Sequence, residues 1–204
     1  MIGIKKINSY KEYLSLQKKK TEDPVRRKKW ISNITENKQK FKPTFSQYLS
    51  IFDEYREGVV YCLGARTGEE VLCLRDMGFA NAMGTDLVPF DEHVIECDIH
   101  NMIFDDNSVD FYYTNIFDHS IDPSKFVSEI QRTLKFDGIC FLQIQLGRLL
   151  DEYGVLFIDE PKDFEKLLYK FDNLSLIISE SNSVLTPNNH GLNWNFIIKK
   201  EKND

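Results

Sequence analysis

Two glycines, Gly64 and Gly68, stand where an apolar run gives way to a helical pattern. The apolar run, residues 58–63, is typical of a strand that is buried on both faces. Gly64 allows a tight turn, Gly68 allows the helix to approach the sheet or a ligand, and the unpaired N–H groups of a helix start can face a polar group. The segment Gly64-Ala65-Arg66-Thr67-Gly68 therefore predicts a ligand site at a strand–turn–helix junction.

A carboxylate, Asp86, ends the second predicted strand, 22 positions after Gly64. In doubly wound sheets a carboxylate at this point binds ribose, because its two oxygens accept from two adjacent hydroxyl donors. The alternative is a solvent-facing Asp86 that caps the turn after the strand. We favour ribose binding, which predicts a nucleoside-containing ligand.

Side chains able to move a proton gather after the fourth predicted strand, between Asn115 and His119. Ligands of such sheets bind outside the carboxyl ends of the strands. His119 could remove a proton from a substrate hydroxyl while Asp118 orients its ring. In the alternative interpretation, Asp118 caps the next helix and His119 only shapes the site. His100 and His190 are secondary candidates, because each falls in a predicted loop near the same edge.

The elements that must position these residues alternate between strand and helix from residue 58 to residue 144. Alternation predicts parallel strands joined by right-handed crossovers. The predicted strands cover residues 58–63, 81–87, 93–97, 109–114, 138–144, 174–179 and 194–199, and the predicted helices cover residues 67–77, 122–135 and 161–171. Residues 88–92 are too few for a crossover helix, so a single turn or an extended bridge is expected there. The last two strands predict a hairpin-like ending.

The first 57 residues predict helices, with fresh starts at Pro24 and Pro43. Residues 1–42 carry 13 Lys and Arg against 4 Asp and Glu, a net charge of about +9, and the remainder carries about −15. Such a basic arm could bind nucleic acid or an anionic surface. Packing against its own acidic domain or against a dimer mate is the favoured alternative, so a homodimer is one expectation.

The composition sets the class of protein. A length of 204 residues suits one domain with one core, and no apolar run approaches the roughly 20 residues of a membrane span. The first residues lack an apolar signal core, so a cytoplasmic protein is expected. The four cysteines lie in apolar stretches without a C-x-x-C pair, which favours buried free thiols over metal or disulfide roles. No cluster has clear metal-ligand spacing, and we predict no metal.

Five motifs in order carry a family resemblance: Tyr61 to Gly68, Gly84 to Leu87, Cys97 to Asn101, Phe104 to Phe111 and Leu134 to Gly138. Together they resemble the class I S-adenosylmethionine (SAM) dependent methyltransferases, of the type 11 kind that acts on small molecules. The resemblance covers residues 58–146 and implies a Rossmann-like α/β fold. Its sheet would have seven mostly parallel strands in the order 3-2-1-4-5-7-6, with strand 7 antiparallel and helices on both faces. Residues 1–57 would then be an N-terminal basic helical extension, and residues 58–204 the SAM-binding domain.

The resemblance also implies the role of each cofactor contact. The backbone of the glycine turn would hold the methionine part of SAM, and Asp86 would bind its ribose, with Leu87 beside it. Asp98 would accept from the adenine amino group, and the Ile99 N–H would donate to the adenine ring. Asn115 would line the methyl-transfer site. The residues implied to bind the cofactor are Gly64, Ala65, Arg66, Gly68, Asp86, Leu87, Asp98, Ile99 and Asn115.

Two residues of the turn depart from the family pattern. Cys62 stands where the family usually has an acidic residue, and Arg66 stands where it often has a glycine. The usual contact to the amino group of SAM is therefore in doubt. Arg66 could reach the carboxylate of the cofactor or point to solvent, and both alternatives stay open.

The acceptor is the least constrained part of the function. Residues 114–117 lack the Asn-Pro-Pro-aromatic motif of methyltransferases that act on amino groups of bases or glutamine, so O-methylation of a sugar or another small polar molecule is the leading hypothesis. The alternatives are an RNA- or protein-directed methyltransferase that uses the basic arm, and a SAM-fold binding module without catalysis. A nicotinamide-dependent oxidoreductase is disfavoured, because the turn has glycines at positions 1 and 5 rather than 1, 3 and 6. The walls of the acceptor pocket are expected from the N-terminal helices and from two predicted loops, residues 147–160 and 181–193.

Overall fold

Seven strands form the central sheet in a computed structural model that describes residues 1–90, 92–147, 152–182 and 191–202. His190, one of the secondary candidates, lies outside the described residues. The strands of this sheet are β2 (Val60–Leu63), β3 (Met83–Asp86), β4 (Val94–Glu96), β5 (Val109–Thr114), β6 (Leu134–Ile144), β8 (Leu174–Ser181) and β9 (Trp194–Lys200). Two further strands, β1 (Ile2–Ile4) and β7 (Leu156–Ile158), form a small sheet of their own.

The strands of the central sheet lie in the order β4-β3-β2-β5-β6-β9-β8, which is the order implied by the resemblance. The pairs from β4 to β6 are parallel, whereas β9 runs antiparallel to both β6 and β8. The described residues between β3 and β4 contain no helix, as their number predicts. The strands β2 and β5 are adjacent, but the chain continues from β2 to β3 on one side of this pair and from β5 to β6 on the other. The carboxyl ends of β2 and β5 therefore border the crevice where ligands bind in such folds.

Three helices pack on the sheet in addition to the N-terminal ones: α5 (Glu69–Asp76), α6 (Pro123–Thr133) and α7 (Pro161–Leu168). The side chain of Asp122 caps α6 by accepting from the Lys125 N–H at 2.9 Å. The predicted boundary between this helix and the next strand was wrong by several residues. Leu134 is buried and pairs with Val109, so β6 starts directly after Thr133. Sheet pairing has overridden the helical pattern that the sequence shows up to residue 135.

The N-terminal segment forms α1 (Tyr10–Glu22), α2 (Pro24–Ser32), α3 (Ile34–Gln47) and a short α4 (Leu49–Phe52). Asp23 caps α2 in front of Pro24, so that predicted start is confirmed. The predicted start at Pro43 is wrong, because this proline lies inside α3. Phe41 and Phe45 stack across it with ring centroids 6.0 Å apart, and Phe45 is buried. This packing offsets the roughly 3 kcal/mol that an internal proline costs a helix.

The small sheet of β1 and β7 corrects two further predictions, since residues 1–57 are not all helical and residues 147–160 are not all loop. Ile2 to Ile4 pair antiparallel with Leu156 to Ile158. The ring of Phe157 fills the place where a side chain at position 3 would project, with only 1.9 Å from an ideal Cβ to Phe157 Cζ, so this pairing requires Gly3. A three-residue strand carries too little periodicity to be recognised in the sequence.

The core lies on both faces of the central sheet. On one face the N-terminal helices and α5 pack on the strands, and on the other face α6 and α7 do so. Representative buried rings are Phe45, Phe52, Phe111 and Phe141 on the first face and Phe117, Phe126, Phe164 and Phe196 on the second. All four cysteines are buried and free, as predicted. No helix within the described residues has the length and apolar character needed to cross a membrane.

Candidate functional site

Two clefts meet at the glycine turn that follows β2. The first cleft lies between α1 and the ends of β2 and β3, and the second, which is larger, lies between α2, α3 and the start of α5. Arg66 lines both clefts. Of the remaining predicted cofactor contacts, Gly64, Asp86, Leu87 and Ile99 line the first cleft, whereas Ala65 and Asn115 line the second.

The backbone of the turn explains its sequence. Gly64 has a φ of 76°, and a Cβ at this position would lie 2.6 Å from Ile116 Cδ1, so the close approach of the segment that follows β5 excludes a side chain. Gly68 has a φ of 77° and directly precedes α5. Arg66 also adopts a left-handed φ of 49°, which explains why glycine often suits this position. The Arg66 guanidinium stacks over the Trp30 ring with 4.4 Å to the ring centroid.

Asp86 caps a turn and also faces the first cleft. Its Oδ1 accepts from the Val88 N–H at 2.9 Å, so the side chain caps the turn after β3. The same carboxyl group lines the first cleft. Burial raises the pKa of Asp86, although the hydrogen bond from Val88 and the charge of Arg66 act in the opposite direction. A hydrogen-bonding ligand in the cleft would replace part of the solvation that this carboxylate lacks.

Asp98 is engaged by the N-terminal helix. The Tyr10 hydroxyl donates to Asp98 Oδ2 at 2.5 Å, and the His100 N–H donates to Asp98 Oδ1 at 2.9 Å. Burial alone would raise the pKa of Asp98, but the hydrogen bonds from His100 and Tyr10 outweigh it and lower the pKa. The His100 ring is buried, with Nε2 2.9 Å from Ser120 Oγ. His100 therefore has a place in the packing beneath α1.

The predicted catalytic histidine, His119, ends a single 3-10 turn, Phe117–His119, and lines the first cleft. Its Nδ1 lies 3.0 Å from Gln17 Oε1, which can only accept, so Nδ1 carries the proton. Its Nε2 lies 3.2 Å from Lys20 Nζ and 3.8 Å from Asp118 Oδ2. The lone pair of Nε2 therefore accepts from Lys20. Contacts to α1 hold the ring in one tautomer.

Two adjacent glutamates at the start of α5 form part of the second cleft, and sequence reasoning missed both. Glu69 Oε2 accepts from Thr67 Oγ1 at 2.5 Å, and Glu69 Oε1 accepts from Asn37 Nδ2 at 3.3 Å. Glu70 Oε1 accepts from Asn115 Nδ2 at 3.5 Å, whereas Glu70 Oε2 is buried with no hydrogen-bond partner among the described residues. Burial, followed by the charge of Glu69, raises the pKa of Glu70 to about 8.

A signal for Glu70 is present in the sequence. Glu70 precedes Leu74 by four residues, and Val71 and Leu74 are both fully buried, so the helical repeat assigns Glu70 to the inner face of α5. A carboxylate on an apolar helix face is unusual unless it is paired or has a function. The sequence-based prediction of the site included the backbone of the glycine turn and did not include the side chains that follow it.

Comparison with known proteins bears on this arrangement. The sequence model of a family described as "Methyltransferase domain" matches residues 61–142. The structure is similar to a 1,6-didemethyltoxoflavin-N1-methyltransferase of Burkholderia thailandensis, solved with S-adenosylhomocysteine (SAH), with a TM-score of 0.68, 15% identity, and coverage of 97% of this chain and 92% of that one. The chain therefore has the fold of these SAM-dependent methyltransferases, and its residues 61–142 match the sequence model of a methyltransferase domain.

A second solved structure supports the same fold for this chain. It is a putative SAM-dependent methyltransferase of Methanococcus maripaludis, with a TM-score of 0.59, 13% identity and coverage of 99% of each chain. No curated protein sequence matches the chain. The likeness in fold therefore extends over the N-terminal helices, which the matched family model does not cover.

The residues around the glycine turn fit SAM, the cofactor that the matched fold implies. The turn offers a cradle that a Cβ at Gly64 would fill, and Asp86 supplies a carboxylate at the end of β3. Glu70 adds a buried carboxyl oxygen that lacks a partner among the described residues. SAM is a cation with an ammonium and a sulfonium group, so unpaired carboxyl oxygens beside a glycine cradle suit it.

Proposed function

We propose that this enzyme methylates a hydroxyl oxygen of a small polar acceptor, such as a sugar, and that the acceptor binds in the second cleft. The observation that carries the proposal is the make-up of that cleft. Cationic side chains of the N-terminal helices and polar side chains of strand ends line it together, which suits a small polar molecule.

The N-terminal helices supply the cationic side of the second cleft through Arg26, Lys29 and Lys40. Arg26 also pairs with Glu152 at 2.6 Å, and Lys40 pairs with Glu36 at 3.1 Å, so part of this charge is neutralised. The cleft therefore favours an acceptor with a polar or anionic part that faces α2 and α3.

The opposite side of the second cleft is polar and held in place. Gln143 Oε1 accepts from the Tyr113 hydroxyl at 2.8 Å, and Gln143 Nε2 donates to Asn195 Oδ1 at 3.0 Å. Asn115 follows β5 and lines the same cleft. Fixed amide groups of this kind orient hydroxyl groups by hydrogen bonding, which supports a hydroxyl-bearing acceptor.

For the cofactor we propose that the first cleft binds the adenosine part of SAM, with Asp86 on the ribose and Leu87 and Ile99 beside the nucleoside. The turn from Gly64 to Gly68 then holds the methionine end. Asp98 would share its Oδ2 between Tyr10 and the adenine amino group, which a carboxylate oxygen with two lone pairs allows.

The chemistry requires few protein groups. When bound, SAM supplies a methyl group already activated by the sulfonium, so the protein contributes mainly by holding the acceptor in line and removing its proton. His119, with Asp118 near it, is the proposed base, and since it lines the first cleft, the acceptor hydroxyl must reach the glycine turn, where the two clefts meet. Because the lone pair of its Nε2 accepts from Lys20, the lysine must move away from Nε2 before His119 can take a proton.

The ion pairs of the basic arm with the rest of the chain favour a small acceptor over a nucleic acid. Three of its cations pair with carboxylates of the domain: Lys18 with Glu96 at 3.4 Å, Arg26 with Glu152 at 2.6 Å, and Lys38 with Asp76 at 2.7 Å. Charges that are satisfied within the chain contribute less to the binding of a polyanion.

Transfer of a labelled methyl group from SAM to a panel of hydroxyl and amine acceptors, each with and without an anionic group, tests this proposal. We expect label in a methyl ether, and an increase in KM with Lys29→Ala but not with the neighbouring, exposed Lys28→Ala. Label in an amine would contradict O-methylation. Binding of SAH without transfer to any acceptor would indicate a binding module.

A further inference from the structure

The carboxyl group of Glu70 stands apart from the other polar groups at the glycine turn, because one of its oxygens is buried without a partner among the described residues. Glu70 is 7% exposed and lines the second cleft. Its neighbour Glu69 is equally buried, but both oxygens of Glu69 accept hydrogen bonds, from Thr67 and Asn37. Leaving a buried carboxyl oxygen unpaired costs about 1–3 kcal/mol, and more when it is charged.

The surroundings of Glu70 favour a cationic partner. The titratable groups that face it are mainly neutral or acidic: Glu69 and Cys73 on α5, Cys62 on β2 and Tyr113 on β5. The cations nearby are Arg66, which is stacked on Trp30, and Lys40 of α3 on the wall of the cleft. Cys62, directly before the turn, is a buried thiol whose pKa is raised by burial and then by Glu70, so it supplies no negative charge.

We propose that Glu70 binds the α-ammonium group of the methionine end of SAM, as an acidic side chain delivered by the first turn of α5 rather than by the end of β2. The inference rests on the binding of SAM at the glycine turn. An amino-acid zwitterion carries a carboxylate beside its ammonium, and Arg66, on the other side of the turn, has the charge to accept that carboxylate. Glu70 would then bind the ammonium group, and Arg66 the carboxylate group, of the same zwitterion.

The proposal has a proton-linked consequence. Since burial and Glu69 raise the pKa of Glu70 to about 8, the group is mostly protonated at pH 7 in the ligand-free protein. An ammonium group against it favours the ionised form and lowers its pKa. Binding of SAH, which has the same amino-acid end, should therefore release close to one proton at pH 7, and its affinity should rise as the pH increases from 6 to 8.

Calorimetry with SAH at pH 7, in two buffers of different ionisation enthalpy, measures this proton directly. We expect wild type to release a proton, Glu70→Gln to release none and to bind SAH at least about tenfold more weakly, and Glu69→Gln to keep the release. A SAH analogue with a hydroxyl in place of the amino group should bind wild type weakly, with no proton release, and should lose little further affinity in Glu70→Gln.

Two results would overturn the proposal: Glu70→Gln with unchanged affinity and unchanged proton release, or an analogue that loses as much affinity in the variant as SAH does. If the variant does not fold, wild type decides alone, since proton release must disappear with the analogue. If SAH itself does not bind wild type, the cofactor assignment fails together with the proposal. If SAH binds and Glu70 has no effect, only the proposal fails.

Discussion

The two clefts at the glycine turn differ in how their polar groups are satisfied. In the first cleft, α1 supplies Gln17 and Lys20 as partners of His119, and beside the cleft it supplies Tyr10 as a partner of Asp98. In the second cleft, Glu70 keeps a buried oxygen without a partner among the described residues. In the first cleft, side chains that could contact a ligand are therefore contacted by α1 of the same chain. The second contains a group that none of the described residues satisfies, as the proposed contact with the ammonium group of SAM requires.

This difference indicates that the second cleft, through Glu70, lowers the stability of the ligand-free fold. Groups satisfied by α1 stabilise the fold without a ligand, whereas an unpaired buried carboxyl destabilises it until a cation binds. Functional sites often carry such a cost. The variants below change one cleft at a time, or the turn between them.

The largest effect is expected from the turn that both clefts share. Gly64→Ala would bring a Cβ to within 2.6 Å of Ile116 Cδ1 at a φ of 76°, so the turn must move. We expect SAH binding below the detection limit of calorimetry and a loss of about 1–3 kcal/mol in the free energy of unfolding.

Gly147→Ala is the matched control for the turn. Gly147 also has a positive φ, 101°, but nothing lies within 4 Å of its ideal Cβ. This variant carries the backbone strain without the collision and should bind SAH normally. Normal SAH binding by Gly64→Ala would show that the turn does not hold the cofactor.

A change in the second cleft should appear in the pH dependence of stability. The pKa of Glu70 is raised from 4.5 in the unfolded chain to about 8 in the folded one, so the folded state binds more protons between these values. The free energy of unfolding should therefore fall with increasing pH through this window, by up to about 1.4 kcal/mol per pH unit.

Urea unfolding at pH 5, 6.5 and 8 measures that slope. Glu70→Gln stays neutral, so it should remove this part of the slope and be more stable than wild type at pH 8. Glu69→Gln should retain most of the slope, because burial, the larger cause of the raised pKa of Glu70, remains, but the pH window should narrow at its upper end because the charge of Glu69 is lost. Equal slopes in wild type and Glu70→Gln would mean that the carboxyl group is solvated in solution.

His119 allows the two clefts to be separated by kinetics. If it is the base, His119→Ala should lower turnover about a hundredfold or more, with a change of less than about threefold in SAH affinity. Gln17→Ala, which removes the acceptor at Nδ1, is the control for ring orientation and should have a smaller effect. Unchanged turnover of His119→Ala would remove the proposed base and leave the residue as a support for α1.

A smaller effect is expected from Asp86 in the first cleft. Asp86→Asn keeps an oxygen that can accept from the Val88 N–H, so the cap survives while one acceptor for ribose is lost. We expect SAH affinity about tenfold lower with stability nearly unchanged, as judged by calorimetry and urea unfolding. Asp86→Ala loses both roles and should reduce both quantities. A variant Asp86→Asn that binds SAH as tightly as wild type would leave Asp86 as a turn cap alone.

The sequence predicts the part of the structure that depends on repeated patterns. Buried strands such as Val60–Leu63 and their order follow from apolar runs and from the family motifs, and the glycine turn follows from residues 64–68. Three features do not follow, since each depends on a distant partner. The strand β1 needs β7, the helix across Pro43 needs the packing of Phe45, and β6 begins at Leu134 because Val109 pairs with it.

The candidate site was predictable to a similar extent. Six of the predicted cofactor contacts each line one of the two clefts, and Arg66 lines both. Local sequence does not predict the division into two clefts or the contacts of α1 with Asp98 and His119. The reason is that α1 lies about 90 residues away from these residues in the chain. Glu70 was missed although the helical repeat places it on the inner face of α5.

Thermal unfolding with SAH and, separately, with NAD tests most directly whether the glycine turn binds SAM. A ligand that binds the folded state alone raises the midpoint in proportion to its occupancy. We expect SAH to raise the unfolding temperature of wild type in a concentration-dependent manner, NAD to have no effect, and Gly64→Ala to lose the response to SAH. An unfolding temperature that neither SAH nor SAM changes, at concentrations up to the millimolar range, would contradict the account.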